Sequence, residues 1–358
     1  MAAATDLSLG VIEGYYGRPW SWEARADTAA FLAHHGYGFF IYAPKADAYL
    51  RRRWREAHPP EQAESLRAFA AHCAALGVEF GVGLSPFELY RDFDAQARAA
   101  LAGKLAQLDD LGTRQLAILF DDMRGDLPGL ARSQAEILHW IGARTRATTL
   151  IVCPTYYSDD PALDRFFGAR PERYLEDLGQ ALDPAIQVFW TGPEVCSREL
   201  RPGHLARVAD QLRRKPLLWD NYPVNDGPRM SPFLHLRAFT GRSSASAAHV
   251  AGHAINPALQ PVLSRIPALT LPETYALGEA YDYRAAFDQA AAQVLGPELA
   301  ALVGRWLATF QDVGLDRLGE DVGRARARFA ALDHPGAREI VAWLDGAWRV
   351  TVEDMEGA

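Results

Sequence analysis

Two adjacent carboxylates, Asp121 and Asp122, directly follow an apolar run that extends from Leu116 to Phe120. An apolar run of this length, bounded by turn signals, predicts a buried strand of a parallel sheet. Successive side chains of a regular strand point to opposite faces, so the two aspartates can share a site only where the strand ends and the backbone turns. A solvated acidic turn, with one aspartate capping the next helix, is the alternative interpretation.

Polar and aromatic residues follow nearly every apolar run in the first two thirds of the chain, on its C-terminal side. They include the segments 13–20, 43–47, 154–157 and 220–226. Solubility alone does not explain why polar and aromatic residues concentrate at one end of each strand. A functional site at the carboxyl face of a barrel does explain it. Trp and Tyr faces stack on sugar rings, and Asp and Asn bind sugar hydroxyls. With two carboxylates added, the set predicts cleavage of a glycosidic bond.

The adjacency of the two aspartates favours one mechanism of cleavage. A conventional retaining glycosidase holds its carboxyl groups about 5 Å apart across the scissile bond, usually on different strands. Neighbouring aspartates instead suit a reaction in which the 2-acetamido oxygen of the substrate is the nucleophile. One aspartate then holds the acetamido N–H and stabilises the oxazolinium charge, and the other protonates the leaving oxygen.

The elements that would position these residues repeat along the chain. Eight apolar runs begin at residues 11, 39, 80, 116, 150, 188, 217 and 249. Helix-period segments at 22–34, 61–76, 94–111 and 132–144 lie between the first runs. A (β/α)8 barrel of roughly 250 residues needs about 31 residues per unit. The pattern predicts an α/β fold, a TIM barrel over residues 1–270.

The texture changes past residue 270. Segments 283–294, 297–310, 318–332 and 336–348 have amphipathic helical patterns, and no strand-like run is visible there. We therefore predict a small all-helical C-terminal domain over residues 271–358.

Composition argues against several classes of protein. The 358 residues carry a formal net charge of −8 without a strong basic block, which disfavours nucleic acid and anionic membranes as partners. Cys73, Cys153 and Cys196 lack CxxC spacing, so each is interpreted as a small buried apolar residue. No signal peptide or membrane-length apolar run is visible, which predicts a cytoplasmic protein. The Ala- and Arg-rich usage is typical of a bacterial source.

No cofactor or metal is predicted. The ten histidines are dispersed, and no GxSxG elbow or GxGxxG after a strand is present. A metal held by Asp121, Asp122 and Asp220 is a minor alternative.

Six motifs, in chain order, carry a resemblance. They are Gly-Val-Ile-Glu-Gly-Tyr-Tyr-Gly-Arg-Pro-Trp (10–20), Tyr-Ala-Pro-Lys (42–45), Phe-Asp-Asp-Met (120–123), Trp-Thr-Gly-Pro (190–193), Trp-Asp-Asn…Asn-Asp (219–226) and Asn-Pro (256–257). Together they resemble glycoside hydrolase family 84, which comprises the O-GlcNAcases and related β-N-acetylglucosaminidases, some long labelled hyaluronidases.

The resemblance implies a TIM-barrel exo-hexosaminidase that retains configuration through an oxazoline. By the matching positions, Asp121 would polarise the acetamido group, and Asp122 would be the general acid and then the base. Tyr157 would hydrogen-bond the acetamido oxygen. Asn221 would brace the acetamido pocket, and Trp219 would form its wall. The residues implied to hold the sugar hydroxyls are Gly14, Lys45, Asp226 and Asn256.

Two positions depart from the family pattern. Tyr156 stands where the family usually has Glu, and Phe87 stands where Gly is usual. Both are expected near the pocket rim, where they would affect the preference for the aglycone. By analogy, the helical region would correspond to the stalk of the family, which implies a homodimer formed through it.

Several functions stay open at this stage. The substrate is either O-GlcNAc on protein or a small GlcNAc glycoside. A hexosaminidase for GalNAc or hyaluronan is the enzymatic alternative, although Asp226 at the distal hydroxyls argues for a closed, exo-type pocket. A catalytically silent GlcNAc-binding module is the third candidate. The presence of both Asp121 and Asp122 argues against it, because binding alone needs no tuned acid.

Overall fold

Eight parallel strands close into a barrel in the order of the sequence. The computed structural model describes residues 7–357, and β1 pairs with both β2 and β8. The α/β barrel predicted from the sequence is thereby confirmed. The strands are β1 (Ser8–Glu13), β2 (Tyr37–Tyr42), β3 (Glu79–Leu84), β4 (Gln115–Leu119), β5 (Thr149–Cys153), β6 (Gln187–Trp190), β7 (Leu217–Asp220) and β8 (Gly252–Ile255).

The predicted position of the eighth strand was wrong. His249 ends a 3-10 helix, Ser244–His249, and β8 begins only at Gly252. The apolar pattern missed β8 because its second residue is His253. That imidazole is fully buried and bonds Asp220 at one nitrogen and Tyr275 at the other. A histidine satisfied on both sides can occupy a core position that looks polar in sequence.

Helices cover the outside of the barrel. The first four agree with the predicted segments to within two residues. Side chains cap two of them, because Ser21 accepts from the Ala24 N–H and Asp94 accepts from the Ala97 N–H. The helices between strands are α1 (Trp22–Ala33), α2 (Pro60–Ala75), α3 (Ala95–Asp110), α4 (Leu130–Gly142), α5 (Pro161–Phe167), α6 (Tyr174–Ala181), α7 (Pro202–Leu212) and α8 (Gly227–Met230).

The region after the barrel is helical, as predicted. It consists of α9 (Pro261–Leu277), α10 (Tyr283–Ala308), α11 (Asp321–Ala330), α12 (Pro335–Leu344) and α13 (Val352–Gly357). Residue 270, where the domain boundary is predicted, lies inside α9. This helix contributes Leu271 to the barrel core and Ile266 to a second hydrophobic core. Within residues 7–357, no helix combines the length and the apolar character needed to cross a bilayer.

A buried carboxylate joins α12 to the start of α9. The Glu339 side chain, on α12, accepts the backbone N–H groups of Val262 at 2.9 Å and Leu263 at 3.0 Å. These groups lie in the first turn of α9, where no intrahelical acceptor exists. Gln260, at the N-cap of α9, makes no side-chain cap bond. Glu339 therefore caps α9 from another helix, and burial raises its pKa to about 7.

Truncation of this cap should destabilise the protein. Glu339→Ala leaves two buried N–H groups without an acceptor, so we expect a loss of about 2 kcal/mol in the free energy of unfolding. Urea denaturation measures the change. Glu298→Ala, an exposed glutamate on α10, is the matched control and should stay within about 0.5 kcal/mol of wild type. Equal stabilities for the two variants would contradict the capping role.

Candidate active site

One pocket lies at the carboxyl ends of the strands, with an open volume of about 640 Å³. The structure brings all nine predicted site residues to its lining. They are Gly14, Lys45, Asp121, Asp122, Tyr157, Trp219, Asn221, Asp226 and Asn256. Their roles remain predictions, while their proximity is a property of the fold.

The two aspartates share the pocket because the backbone turns at the end of β4. Asp121 is 5% exposed, and Asp122 has a left-handed φ of 57°. This φ breaks the alternation of a strand, so neighbouring side chains reach the same space. The alternative of a solvated, helix-capping turn fails, because Asp121 is buried and the next helix, α4, has Gly129 at its N-cap.

A buried lysine joins the two carboxylates. The Lys45 Nζ forms an ion pair with Asp121 and lies 3.1 Å from an Asp122 oxygen. Its backbone N–H donates to the Tyr15 carbonyl at 3.0 Å, which fixes the turn after β2. Burial alone would lower the pKa of Lys45, but the two aspartates outweigh this and raise it. This cation is thus engaged with both carboxylates.

The pKa values of the two aspartates diverge. Burial raises the pKa of Asp121 above its usual range, against the opposing effect of Lys45. Burial also acts to raise the pKa of Asp122, but Lys45, Arg51 and a hydrogen bond from Tyr16 outweigh it and lower the pKa. Divergent pKa values in a carboxylate pair are typical of a division of acid and base roles.

One carboxylate oxygen of Asp121 has no partner. Oδ2 receives Lys45, whereas Oδ1 is buried and has no hydrogen-bond partner within residues 7–357. A buried unpaired acceptor is costly, so its presence in a pocket indicates a donor supplied by a ligand.

Amide side chains form a connected wall on the side of β7 and β8. The Asn221 Oδ1 accepts from the Trp219 indole at 2.9 Å and from the Asn256 amide at 3.0 Å. The Asn256 Oδ1 accepts the Gly14 N–H at 3.2 Å. No residue other than glycine fits at position 14, because a Cβ there would lie 2.2 Å from the Trp219 ring. The network therefore fixes both the indole wall and the amide groups.

Sequence reasoning missed Tyr16, which connects two predicted site residues. Its hydroxyl donates to Asp122 at 2.7 Å, and its backbone N–H donates to Asp226 at 2.8 Å. Burial raises the pKa of Tyr16, so the phenol stays a donor. Tyr16 lies in the 10–20 motif, directly after the end of β1 and two residues beyond Gly14. Its place at the carboxyl end of a strand was the signal available in the sequence.

The two departures from the family pattern lie behind residues that line the site and do not line the pocket themselves. Tyr156 is fully buried and donates to the Gly168 carbonyl at 2.7 Å, whereas its neighbour Tyr157 lines the pocket. Of these two neighbouring tyrosines, only Tyr157 faces the site. Phe87 packs under Arg51 and Arg52, whose guanidinium carbons lie 5.6 and 5.2 Å from its ring centroid. Neither side chain belongs to the pocket lining.

Asp220, the third carboxylate of the minor metal alternative, does not join the pair. Both of its oxygens bind the Arg242 guanidinium, at 2.7 and 2.6 Å, and His253 contacts one of them. These partners lower the pKa of Asp220 to about 2, although burial opposes them. Across residues 7–357, no cluster of three or more His, Cys, Asp or Glu residues is placed to hold a metal ion.

Seven further lining residues were not assigned to the site from the sequence. Cys196 is exposed at this site, so its interpretation as a buried apolar residue was wrong; Cys73 and Cys153 are buried. The lining residues not predicted, besides Tyr16, are Cys153, Thr191, Val195, Cys196, Val224, Met230 and Met355.

A closed (β/α)8 barrel with a buried aspartate pair and an indole-and-amide wall at its carboxyl end defines a glycoside hydrolase. The family model described as beta-N-acetylglucosaminidase matches residues 9–306. The chain belongs to this family, glycoside hydrolase family 84.

Known relatives agree with this assignment. Protein O-GlcNAcase of Rattus norvegicus is 30% identical over 269 residues, which are 71% of this chain and 28% of that protein. The chain thus matches less than a third of the length of its curated relatives. The solved O-GlcNAc hydrolase of Thermobaculum terrenum superposes with a TM-score of 0.78 at 30% identity, over 94% of this chain and 80% of that one. CpGH84B, at 23% identity and a TM-score of 0.76, covers 96% of this chain and 67% of its own, and shows the same fold.

Removal of the Lys45 charge should shift the pH dependence of the site. In Lys45→Met, the carboxylate pair loses its nearest cation, so the apparent pKa of its acid should rise by about 1–3 units. The basic limb of the kcat/KM profile, which reports the free enzyme, should move to higher pH by the same amount. Lys215→Met, at an exposed lysine, is the control. An unmoved limb in Lys45→Met would contradict the electrostatic role of Lys45.

Asp226 should reduce the stability of the folded state at neutral pH. Burial raises its pKa from 3.8 to about 6, so the unfolded chain releases this proton at lower pH than the folded protein. Stability is therefore lost as pH rises from about 4 to 6, by up to about 3 kcal/mol. Asp226→Asn removes this loss and should gain stability over wild type at pH 7 but not at pH 3.5.

Thermal unfolding of both proteins at the two pH values measures the difference. Asp92→Asn, an exposed aspartate, provides the reference. The same Asp226→Asn variant should lose about 10- to 100-fold in kcat/KM, because a charged acceptor for the sugar is gone. A stability gain that is equal at pH 3.5 and pH 7 would disprove the linkage.

Proposed function

We propose that this chain is a retaining β-N-acetylglucosaminidase that removes terminal β-linked GlcNAc by substrate-assisted catalysis. The unpaired, buried Oδ1 of Asp121 beside Asp122 carries the proposal. An acetamido N–H is a donor that this oxygen can accept, and the neighbouring carboxyl group lies next to the bond that would break.

In the first step, the acetamido oxygen attacks the anomeric carbon while the glycosidic C–O bond breaks. Asp122 gives its proton to the leaving oxygen. The product in the pocket is a protonated oxazoline, an oxazolinium ion that keeps the N–H, and the Asp121 carboxylate stabilises its positive charge through this N–H. The Tyr157 hydroxyl, at the same pocket, donates a hydrogen bond to the acetamido oxygen. Burial raises the pKa of this phenol, so its proton is retained.

In the second step, water attacks the anomeric carbon from the face that the leaving group vacated. Asp122, now ionised, takes a proton from this water, and the oxazoline opens to restore the acetamido group. Two inversions at the same carbon retain the β configuration. The Tyr16 hydroxyl, 2.7 Å from Asp122, stabilises its ionised form between the two steps.

The pocket walls support an exo-acting site. Asp226, Asn256 and Lys45 offer a carboxylate, an amide and an ammonium to the hydroxyls of a terminal sugar. The Trp219 indole is 4% exposed and fixed by its bond to Asn221, which suits it to hold the acetamido methyl group.

The proposal specifies the sugar of the natural substrate and its linkage, a terminal β-linked GlcNAc. The similar proteins are named as O-GlcNAc hydrolases, which favours GlcNAc over GalNAc or hyaluronan. O-GlcNAc on protein and a small GlcNAc glycoside remain the two candidate substrates. The silent binding module is disfavoured because the pair of aspartates and the phenol of Tyr16 form an acid–base arrangement that binding does not need. A homodimer, a cytoplasmic location and a bacterial source stay predictions.

Hydrolysis of an aryl β-GlcNAc tests the proposal. In Asp121→Asn, we expect kcat/KM to fall about 10³-fold, because the carboxylate that stabilises the oxazolinium charge is lost. In Asp122→Asn, the fall should be smaller for this good leaving group, and the basic limb of the pH profile should vanish. An alkyl β-GlcNAc, which needs full protonation, should reverse the order of the two variants.

Two controls make the result specific. Asp110→Asn, at a carboxylate with 70% exposure, should leave the rate unchanged. An aryl β-GalNAc should be a poorer substrate than its GlcNAc counterpart. If wild type binds GlcNAc but hydrolyses neither sugar, the binding-module function replaces this one.

A further inference from the structure

A groove adjoins the sugar pocket and shares part of its lining. It has an open volume of about 1290 Å³. The residues that line both spaces are Tyr16, Asp122, Tyr157, Val195 and Met355. These shared residues mark the passage between pocket and groove. On the proposed function, Asp122 protonates the glycosidic oxygen, so the leaving group must pass here and extend into the groove.

Met355 differs from the other four residues of the passage. They follow barrel strands, whereas Met355 comes from α13, the last helix of the helical region. Its sulfur lies 3.6 Å from the position that a Cβ on Gly227 would occupy. Gly227 directly follows Asp226, so Met355 stands beside the sugar-binding edge of the passage. No motif in the sequence marks this residue.

The segment that carries Met355 is attached to the sugar-binding loops. Val350 is 3% exposed, and its N–H donates to the Ser231 hydroxyl at 3.1 Å. Its side chain packs against Gly17, where a Cβ would approach it to 2.6 Å. Gly17 follows Tyr16 and Ser231 follows α8, so one residue contacts both loops of the pocket. This attachment gives Met355 a defined position at the passage.

Two reciprocal hydrogen bonds also stabilise the first turn of α13. The Thr351 N–H donates to the Asp354 carboxylate at 2.8 Å, and the Asp354 N–H donates to the Thr351 hydroxyl at 3.2 Å. This reciprocal pair is a capping box, which fixes the entry of the chain into a helix. Local hydrogen bonds therefore stabilise the short helix, and the contacts of Val350 fix its position.

We propose that Met355 is a specificity-determining residue that selects the leaving group by bulk and polarity. The inference rests on the proposed function and adds its aglycone class. A thioether offers an apolar, adaptable surface and favourable contacts with aromatic rings. Leu163, Phe166 and Phe167 add apolar surface further along the groove. Arg51 and Arg124 also line the groove, but this apolar side offers no partner to sugar hydroxyls and so favours a flat or apolar aglycone over a second sugar.

Two substrates separate this selection from catalysis. An aryl β-GlcNAc presents a flat apolar aglycone, and N,N′-diacetylchitobiose presents a second sugar. In Met355→Ala, the kcat/KM ratio of aryl substrate to chitobiose should fall about tenfold, because the aryl group loses an apolar contact and the sugar gains room. Met355→Phe should raise the same ratio, because it narrows the passage and keeps the apolar surface.

Met230→Ala is the matched control, since it makes the same chemical change at a residue that lines the pocket but not the groove. It should lower kcat/KM for both substrates by one common factor. Val352→Ala, on α13 with the side chain 54% exposed, should leave both rates unchanged. Thermal unfolding of each variant shows that the fold is intact.

The outcomes are distinguishable. A Met355→Ala ratio equal to that of wild type, with wild type active, overturns this inference and leaves the proposed function standing. If Met355→Ala, like Met230→Ala, lowers kcat/KM for both substrates by one common factor, Met355 acts in the sugar site alone. This result would also overturn the inference. Failure of wild type to hydrolyse any β-GlcNAc would reject the proposed function itself.

Discussion

The site depends on the ion pairing between Lys45 and two adjacent buried aspartates. Two ionised carboxylates about 4 Å apart repel each other by about 4 kcal/mol at the effective dielectric of a protein, and a cation beside both offsets this repulsion. Lys45 lies within reach of both, and its own position follows from the turn after β2 and the bond from its N–H to Tyr15. The left-handed φ of Asp122 is the second condition, because a regular strand would send the two aspartates to opposite faces.

Two buried ion pairs hold the loops that surround this triple. Arg25 binds both oxygens of Glu13, at 2.6 and 2.7 Å, directly before the loop of Gly14 and Tyr16. Arg242 binds both oxygens of Asp220 and also the carbonyls of residues 197, 198 and 240, beside the amide wall. Buried ion pairs contribute little net stability, since desolvation offsets their attraction. Their bidentate geometry instead fixes the direction in which each loop leaves its strand.

Local rules in the sequence predicted the barrel and its functional end, whereas the resemblance to the family implied the individual site residues. Apolar runs at regular spacing indicated seven strands, and loading of polar residues after them indicated the functional end. The eighth strand escaped because His253 is satisfied only by Asp220 and Tyr275, contacts between distant parts of the chain. Met355 escaped for a similar reason, since no local pattern shows that a short helix more than 120 residues beyond Asp226 returns beside it. Structural features that follow from periodicity can be predicted from the sequence. Features that depend on contacts between distant residues cannot.

The pKa shifts of the two aspartates run opposite to the acid and base roles that catalysis needs, and binding of the substrate can change them. Lys45, Arg51 and Tyr16 lower the pKa of Asp122, yet a general acid must hold its proton. On the proposed mechanism, sugar hydroxyls compete for the Lys45 ammonium, and the acetamido N–H provides Asp121 with the partner that its Oδ1 lacks. The acetamido N–H stabilises the ionised form of Asp121, and withdrawal of Lys45 towards the sugar removes a cation from Asp122, which raises the pKa of this acid. Expulsion of water from the pocket raises the pKa of Asp122 further. The proton of the acid would thus be taken up as the sugar binds, so that protonation of the leaving oxygen is coupled to recognition of the acetamido group.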